Sequence, residues 1–236
     1  MTTFAQVRQL VERQIIDLPP ATQEAIPYLV NQAIRAIQQR HNFKCMEGSQ
    51  EFVTATGSHL LGTISDWKAP RDNPWLRINP PNERRGPMQW VQTETEVNSL
   101  VLPGHTEGKP QLLLPVELDD DGQMHLEVYP LPDGHSAYLD GEYRVVVPYW
   151  RYLPPLASDS AANWFTNNAT EYLRKKAVSL AYAFNLDDER ALMWDQAADR
   201  ELAELIRADK RARRPRGMVL VPRTGVYKSK FSRGLW

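Results

Sequence analysis

Residues 158–212 read SDSAANWFTNNATEYLRKKAVSLAYAFNLDDERALMWDQAADRELAELIRADKRA, and this stretch decides the fold. Ala169, Tyr172, Leu173, Ala177, Leu180, Ala181 and Phe184 recur at spacings of three and four, which places them on one face of an α-helix. Thr166 or Asn167 is expected to cap its start, because a short oxygen-bearing side chain accepts from the free N–H groups of a first helical turn. Asn185-Leu186-Asp187-Asp188 closes this helix and caps the next, whose apolar stripe is Ala191, Leu192, Trp194, Ala198, Leu202, Leu205 and Ile206. So short a link makes the two helices antiparallel neighbours. The stripes are rich in Ala, which suits close helix–helix packing, and they carry no catalytic pattern.

Working outward, the N-terminal region carries the same period. Phe4, Val7, Leu10, Val11 and Ile15 mark a first helix that begins at Thr3 and is ended by Pro19-Pro20. A second helix runs from about Ala21 to Arg40, with Ile26, Leu29, Val30, Ala33, Ile34 and Ile37 on its buried face. Near His41 the period changes to two. Gln50, Phe52, Thr54 and Thr56 alternate with Glu51, Val53 and Ala55, as in a strand. Residues 66–87 are rich in Pro, Asn, Asp and Arg and read as a long loop around Trp75-Leu76-Arg77-Ile78, and short strand-like pieces return from Met88 to Leu100. Leu112–Leu118 and Met124–Tyr129 flank Asp119-Asp120-Asp121-Gly122, a strong hairpin signal. Pro132-Asp133-Gly134 and Asp140-Gly141 mark further turns, and Tyr143–Val147 is a final strand. The expected class is α+β. Residues 1–45 and 158–212 supply two helix pairs of one bundle, residues 46–157 form an inserted antiparallel β module, and 213–236 form an extended tail.

Composition and motifs bound the function. The single cysteine, Cys45, excludes an intramolecular disulfide and a cysteine-based zinc site. Thr2–Gln14 lacks the apolar core of a signal peptide, and no apolar run reaches membrane-spanning length, so folding in a reducing cytoplasm is expected. The five histidines are scattered without ligand spacing. A calcium loop with Gly122 at its sixth place needs an acid at Val128, so Asp119–Gly122 reads as a solvated turn. No nucleophile elbow or phosphate-cradling loop occurs. No catalytic residue, cofactor or metal site is expected.

Charge is unevenly spread. Residues 210–236 hold nine Lys and Arg and no Asp or Glu, so the remaining body carries −10 of a chain whose net charge is −1. The tail admits two readings. Its Arg and Lys residues with interleaved Tyr227, Phe231 and Trp236 suit contact with nucleic acid. Its apolar run Met218-Val219-Leu220-Val221 suits addition of a strand to another protein, and a protein partner is the preferred reading. The candidate partner-binding residues are Arg214, Arg216, Met218, Val219, Leu220, Val221, Arg223, Tyr227, Phe231 and Trp236.

The order of parts resembles the head–tail connector (adaptor) proteins of tailed bacteriophages. The resemblance rests on Ile26-Pro27-Tyr28-Leu29-Val30-Asn31-Gln32-Ala33-Ile34-Arg35-Ala36-Ile37, the Gly108-Lys109-Pro110 step, and Val128-Tyr129-Pro130-Leu131-Pro132-Asp133-Gly134. It continues through Tyr149-Trp150-Arg151-Tyr152-Leu153-Pro154-Pro155-Leu156, Asn163-Trp164, Glu171-Tyr172-Leu173, Ala177, Ala181, Phe184 and Trp194. It spans about residues 4–222, and segment 62–107 finds no counterpart. The resemblance implies a homo-oligomeric ring, usually of twelve subunits, at the virion neck. Its implied partners are the portal protein and the tail tube, nozzle or tail-completion proteins, with genomic DNA passing through the channel without sequence-specific contact. It implies no catalysis; it implies synthesis in the host cytoplasm, and helices that build the ring while the β module faces outward or towards the tail. That the segment 213–236 docks on the portal is the expectation from its own residues. An acidic body is compatible with a channel wall past which DNA slides, since like charge prevents adhesion. The alternative from the residues alone is a nucleic-acid-binding protein that uses its basic tail.

Overall fold

Thr3 sets the start of the first helix. Its hydroxyl accepts from the Gln6 N–H, and the Gln6 side chain accepts from the Thr3 N–H, the reciprocal pair of a capping box. Helix α1 (Phe4–Gln14) buries Phe4, Val7 and Val11, and α2 (Pro20–Arg40) buries Ile26, Leu29, Val30, Ala33, Ile34 and Ile37. The structure, a computed structural model, describes residues 1–15, 19–78, 84–101, 107–116, 123–134 and 142–213.

After a 3-10 turn at Lys44–Met46 come β1 (Glu47–Val53), β2 (Leu60–Ile64), β3 (Trp67–Pro70), β4 (Trp75–Ile78), β5 (Arg84–Pro87) and β6 (Gln89–Trp90). Helix α3 (Glu94–Leu100) separates these from β7 (Glu107–Gly108), β8 (Leu112–Val116), β9 (Met124–Tyr129), β10 (Leu131–Pro132) and β11 (Arg144–Arg151). Strand β11 organises one sheet, pairing antiparallel with β1, β3 and β4, while β5 adds to β4. A second sheet has the order β2-β9-β8-β6. The two pack face to face, with Phe52, Leu76, Val145 and Val147 meeting Ile64, Leu113, Leu126 and Val128. Val97 of α3 covers the other face of the second sheet with Val91, Leu112 and Leu114.

The expected β8–β9 hairpin is present, in register from Leu112 opposite Tyr129 to Val116 opposite His125. Its Asp119–Gly122 turn and the Asp140-Gly141 turn lie outside the described residues. Gly134 takes a positive φ of 72°, as its turn requires.

Several expectations are corrected. Residues 66–87 are not one loop: they supply β3, β4 and β5. These strands are four residues each, two of them ending in proline, and two pair with β11 at great sequence distance, so local pattern hid them. Residues 94–100 are helical, with the Thr93 hydroxyl accepting from Glu96 N–H and the Glu96 carboxylate accepting from Gln92 N–H. The module is not purely antiparallel, because β6–β8 and β7–β10 are short parallel pairs. Neither Thr166 nor Asn167 caps the helix at 170. Asn163 caps a short α4 (Trp164–Asn168), a break at Ala169 follows, and α5 (Thr170–Phe184) begins without a side-chain cap. Phe184 of α5 and Leu192 of α6 (Asp188–Arg213), both placed on buried stripes by their spacing, are exposed.

Apolar side chains of α1, α2, α5 and α6 join one cluster, which includes Val7, Ile26, Val30, Ala33, Ile37, Tyr172, Leu173, Ala177, Ala181, Ala198 and Leu202. Helix α5 meets α1, α2 and α6. The Ser179 hydroxyl donates to the Ala191 carbonyl at 2.9 Å, and Lys175 pairs with Glu201 at 2.5 Å, which ties α6 along α5. Trp150 of β11, Ala69 of β3 and Leu156 belong to the same cluster.

Polar groups fix that junction. The buried Gln38 side chain accepts from Leu153 N–H at 2.5 Å and donates to the Leu153 carbonyl at 3.5 Å. Asn31 repeats the device on Leu156, at 2.9 and 3.1 Å. Lys68 of β3 donates to the carbonyls of Gln38 and His41, so a lysine from the sheet caps the C-terminal end of α2. Burial lowers the pKa of the Lys68 ammonium.

Two predictions follow from this packing. Gly62 of β2 has a φ of +154°, and a Cβ there would lie 2.6 Å from the Phe52 ring. Gly62→Ala should lower unfolding free energy by about 2–4 kcal/mol, and Phe52→Leu in the same chain should recover part of the loss in chemical denaturation. The Tyr149 hydroxyl donates to Asp66 at 2.9 Å, and burial followed by that carboxylate pushes the phenol up to about 12. A pKa raised by folding contributes stability that is intact below the unfolded value of about 10 and lost as pH climbs through the folded one. Melting temperature should therefore fall between pH about 10 and about 12, and fall less steeply in Tyr149→Phe.

Candidate functional site

The described surface offers three places for a partner. The first is the turn between α5 and α6. Asp187 N–H donates to the Tyr182 carbonyl at 3.0 Å and Leu186 N–H to the Ala183 carbonyl at 3.1 Å, the two bonds of a Schellman motif. The residue at its left-handed position is usually glycine; here it is Leu186, with φ +59°. Leu186 is 90% exposed, and Phe184, Leu192 and Met193 around it are each more than half exposed. Asp187 then caps α6 by accepting from Arg190 N–H at 3.1 Å, and Asp188 and Glu189 occupy its first turn. Carboxylates are favourable there because helix N–H groups point outward.

The second place is a groove of about 590 Å³ along α2, walled by Tyr28, Ile34, Trp67, Tyr152, Pro154 and Pro155. The Asn31 and Gln38 bonds to Leu156 and Leu153 hold its far wall against the helix. The Arg35 guanidinium sits 5.9 Å from the centre of the Tyr152 ring and is exposed at the rim. Tyr28 projects into solvent at 63% exposure.

The third place is the end of α6, the root of the tail. Asp209 is buried there, and its carboxylate accepts from Lys44 N–H at 3.0 Å, contacts His41 Nε2 at 3.1 Å and pairs with Arg213 at 2.8 Å. A buried acid at a helix C-terminus opposes the helix dipole, so these partners are what hold it. Arg213 also donates to the Asn42 carbonyl and lies 4.9 Å from the centre of the Trp150 ring. Arg214, Arg216, Met218, Val219, Leu220, Val221, Arg223, Tyr227, Phe231 and Trp236, the residues singled out for partner binding, lie outside the described residues, which end at Arg213.

Burial shifts two further titratable groups. Burial, then the Asp209 charge, pushes the Cys45 thiol up to about 12. The Tyr143 hydroxyl donates to Asp133 at 2.9 Å, and burial followed by that carboxylate pushes it up to about 12. Among the described residues no three His, Cys, Asp or Glu side chains gather as metal ligands, and no helix is long and apolar enough to cross a membrane.

Periodicity missed all three places. Leu186 falls in the Asn185–Asp188 link that closes the helix, and Tyr28 lies off the buried stripe of α2, so spacing marks neither. Asp209 lies in Ala208-Asp209-Lys210-Arg211, where an acid among bases reads as solvated. The one available signal was Leu at a position where a helix stop calls for Gly or Asn.

No curated protein matches the chain. The description of the SU10 adaptor protein family matches residues 2–221, which takes in every described helix and strand and includes segment 62–107. With so much of its length matched, from α1 past the end of α6, the chain belongs to the SU10 adaptor protein family and is a structural head–tail adaptor of tailed bacteriophages.

Proposed function

We propose that this chain is the subunit of a homo-oligomeric ring, of about twelve copies as the resemblance implies, that joins the portal to the tail at the virion neck. Genomic DNA passes through its channel without sequence-specific contact. The observation that carries this reading is the family match over residues 2–221. The charge distribution supports it: an acidic body of −10 repels DNA and leaves it free to move past. In this reading residues 1–45 and 158–212 are one helical body that builds the ring and 46–157 are a module inserted in it. The sandwich's own apolar cluster supports that division, while Met46, Trp150 and Leu156 of the module pack into the helical cluster and join the two. The mass of the assembled species, alone and with purified portal, tests the ring: a multi-copy closed particle is expected, and a chain that stays single in both conditions refutes it.

The tail, residues 213–236, leaves the body at the end of α6 and docks on the portal. Its mixture of Val219, Val221, Val226 and Phe231 with Arg and Lys suits a strand-like insertion, and its charge orients the dock. Deletion after Arg214 should leave thermal unfolding unchanged and abolish joining to purified portal, giving DNA-filled heads without tails. A truncated chain that joins portal normally but loses DNA affinity, with a shallower salt dependence, would establish the nucleic-acid reading instead. The clamp at the tail root yields a second expectation. Asp209→Ala strands the Lys44 N–H and uncouples Arg213, so it should cost about 2–4 kcal/mol and expose Arg207–Arg213 to faster tryptic cleavage. Asp209→Asn, which keeps an acceptor, should cost less.

A further inference from the structure

We infer that the α5–α6 turn is a plug that seats in the α2 groove of a second copy of this chain. The inference rests on the ring reading and names the surfaces that would build the ring. Leu186 is held in a left-handed conformation that disfavours side chains with a Cβ; the turn's backbone hydrogen bonds hold it there, yet its side chain is 90% exposed, so among the described residues no packing rewards a leucine over a glycine. Phe184, Leu192 and Met193 extend the apolar surface at the same end of the hairpin. Large apolar side chains left exposed at and just beyond a fixed turn mark a surface that is covered in an assembly.

The groove supplies what such a plug needs. Its volume of about 590 Å³ is in the range that holds several side chains, and its walls combine the Tyr28, Trp67, Tyr152 and Pro154-Pro155 surface with polar groups that include Gln32, Ser65 and Asp66. Charge at the rim matches as well: Arg190 of the plug is paired with Asp187, which leaves the exposed Asp188 and Glu189 beside it, while the exposed Arg35 stands at the groove rim over Tyr152 and Asp66, deeper in the groove, accepts from the Tyr149 hydroxyl. The plug cannot fill its own groove. The Thr22 hydroxyl donates to Asn185 at 2.7 Å, which ties the turn to the start of α2, while the groove opens further along that helix, on the edge carrying Tyr28 and Arg35. Plug and groove therefore lie on different surfaces of one chain. Joining them between copies is a head-to-tail contact, the kind that closes into rings. Both halves occur on this chain and their rims are complementary, Asp188 and Glu189 against Arg35, so the occupant is a second copy.

The test uses full-length protein in three forms, wild type, Leu186→Gly and Tyr28→Asp, measured by sedimentation velocity over a concentration series, alone and with purified portal. Leu186→Gly keeps the left-handed turn without its penalty, so its melting temperature should be equal to or above wild type while self-association weakens by at least about tenfold. Tyr28→Asp changes an exposed residue and should also leave folding intact while weakening association. Mixing the two variants gives the discriminating result. The intact plug of Tyr28→Asp meets the intact groove of Leu186→Gly, so one-to-one pairs should form and larger species should not. A wild type that assembles while both variants assemble equally well overturns this interface and leaves the ring reading standing. Variants that each fail, with a mixture that forms no pairs, also overturn it. A wild type that forms no multi-copy species in either condition overturns the ring reading, and the interface falls with it.

Discussion

Two amide side chains on α2 hold the two parts of this molecule in register. Gln38 and Asn31 each take one peptide N–H and one carbonyl from the extended segment that leaves β11. An amide buried without both kinds of partner costs several kcal/mol, so this pairing admits one alignment of helix and segment. A shift of one residue would turn the peptide groups away and leave both side chains unpaired. Lys68 fixes the same joint from the sheet side by closing the carbonyls at the end of α2. Much else hangs on this alignment. It sets the far wall of the groove, and it places Trp150 in the helical core, where Arg213 packs over its ring.

The charges of α6 follow a related logic. Asp188 and Glu189 stand in its first turn and Lys210, Arg211 and Arg213 in its last, each sign at the end where the helix dipole favours it. Asp209 breaks the rule and is the one acid of the helix that is buried. It gains its partners from the loop after α2 and not from its own helix alone. The exception is therefore a tertiary contact: it binds the last turn of the chain's final described helix to the hinge between helices and sheets.

The helices were legible because their stripes are local: a 3.6-residue period needs only a window of a dozen residues. The β8–β9 hairpin was legible for the same reason. The sandwich was not, because β11 pairs with β1 and with β3 and β4 far back in the chain, and no short window contains both members of a pair. Helix α3 carried a visible Thr-x-x-Glu start at Thr93 and Glu96, but seven residues are too few for a stripe to outweigh the strand-like flanks. The candidate surfaces failed in a more instructive way. Phe184 and Leu192 fit the buried stripes by spacing, yet Phe184 is the last residue of α5, at the turn, and Leu192 is exposed although α5 lies against its neighbour Ala191 through Ser179. Periodicity reports which side of a helix a residue is on, and not whether another element reaches that far.

Helix α6 is 26 residues, which at 1.5 Å per residue is a rod of about 39 Å. Leu186 stands just before one end and Arg213 at the other. The rod thus acts as a ruler between the turn that projects Leu186 and the clamp of Arg213 on Asp209 and Trp150, and it sets both their spacing and their relative phase. One added residue in its middle would lengthen the ruler slightly but rotate one end against the other by about 100°. Seven added residues, close to two full turns, would preserve phase and change only span. Among related chains, length variation in this helix is expected in steps of whole turns, with intermediate lengths accompanied by a rearranged clamp at its end.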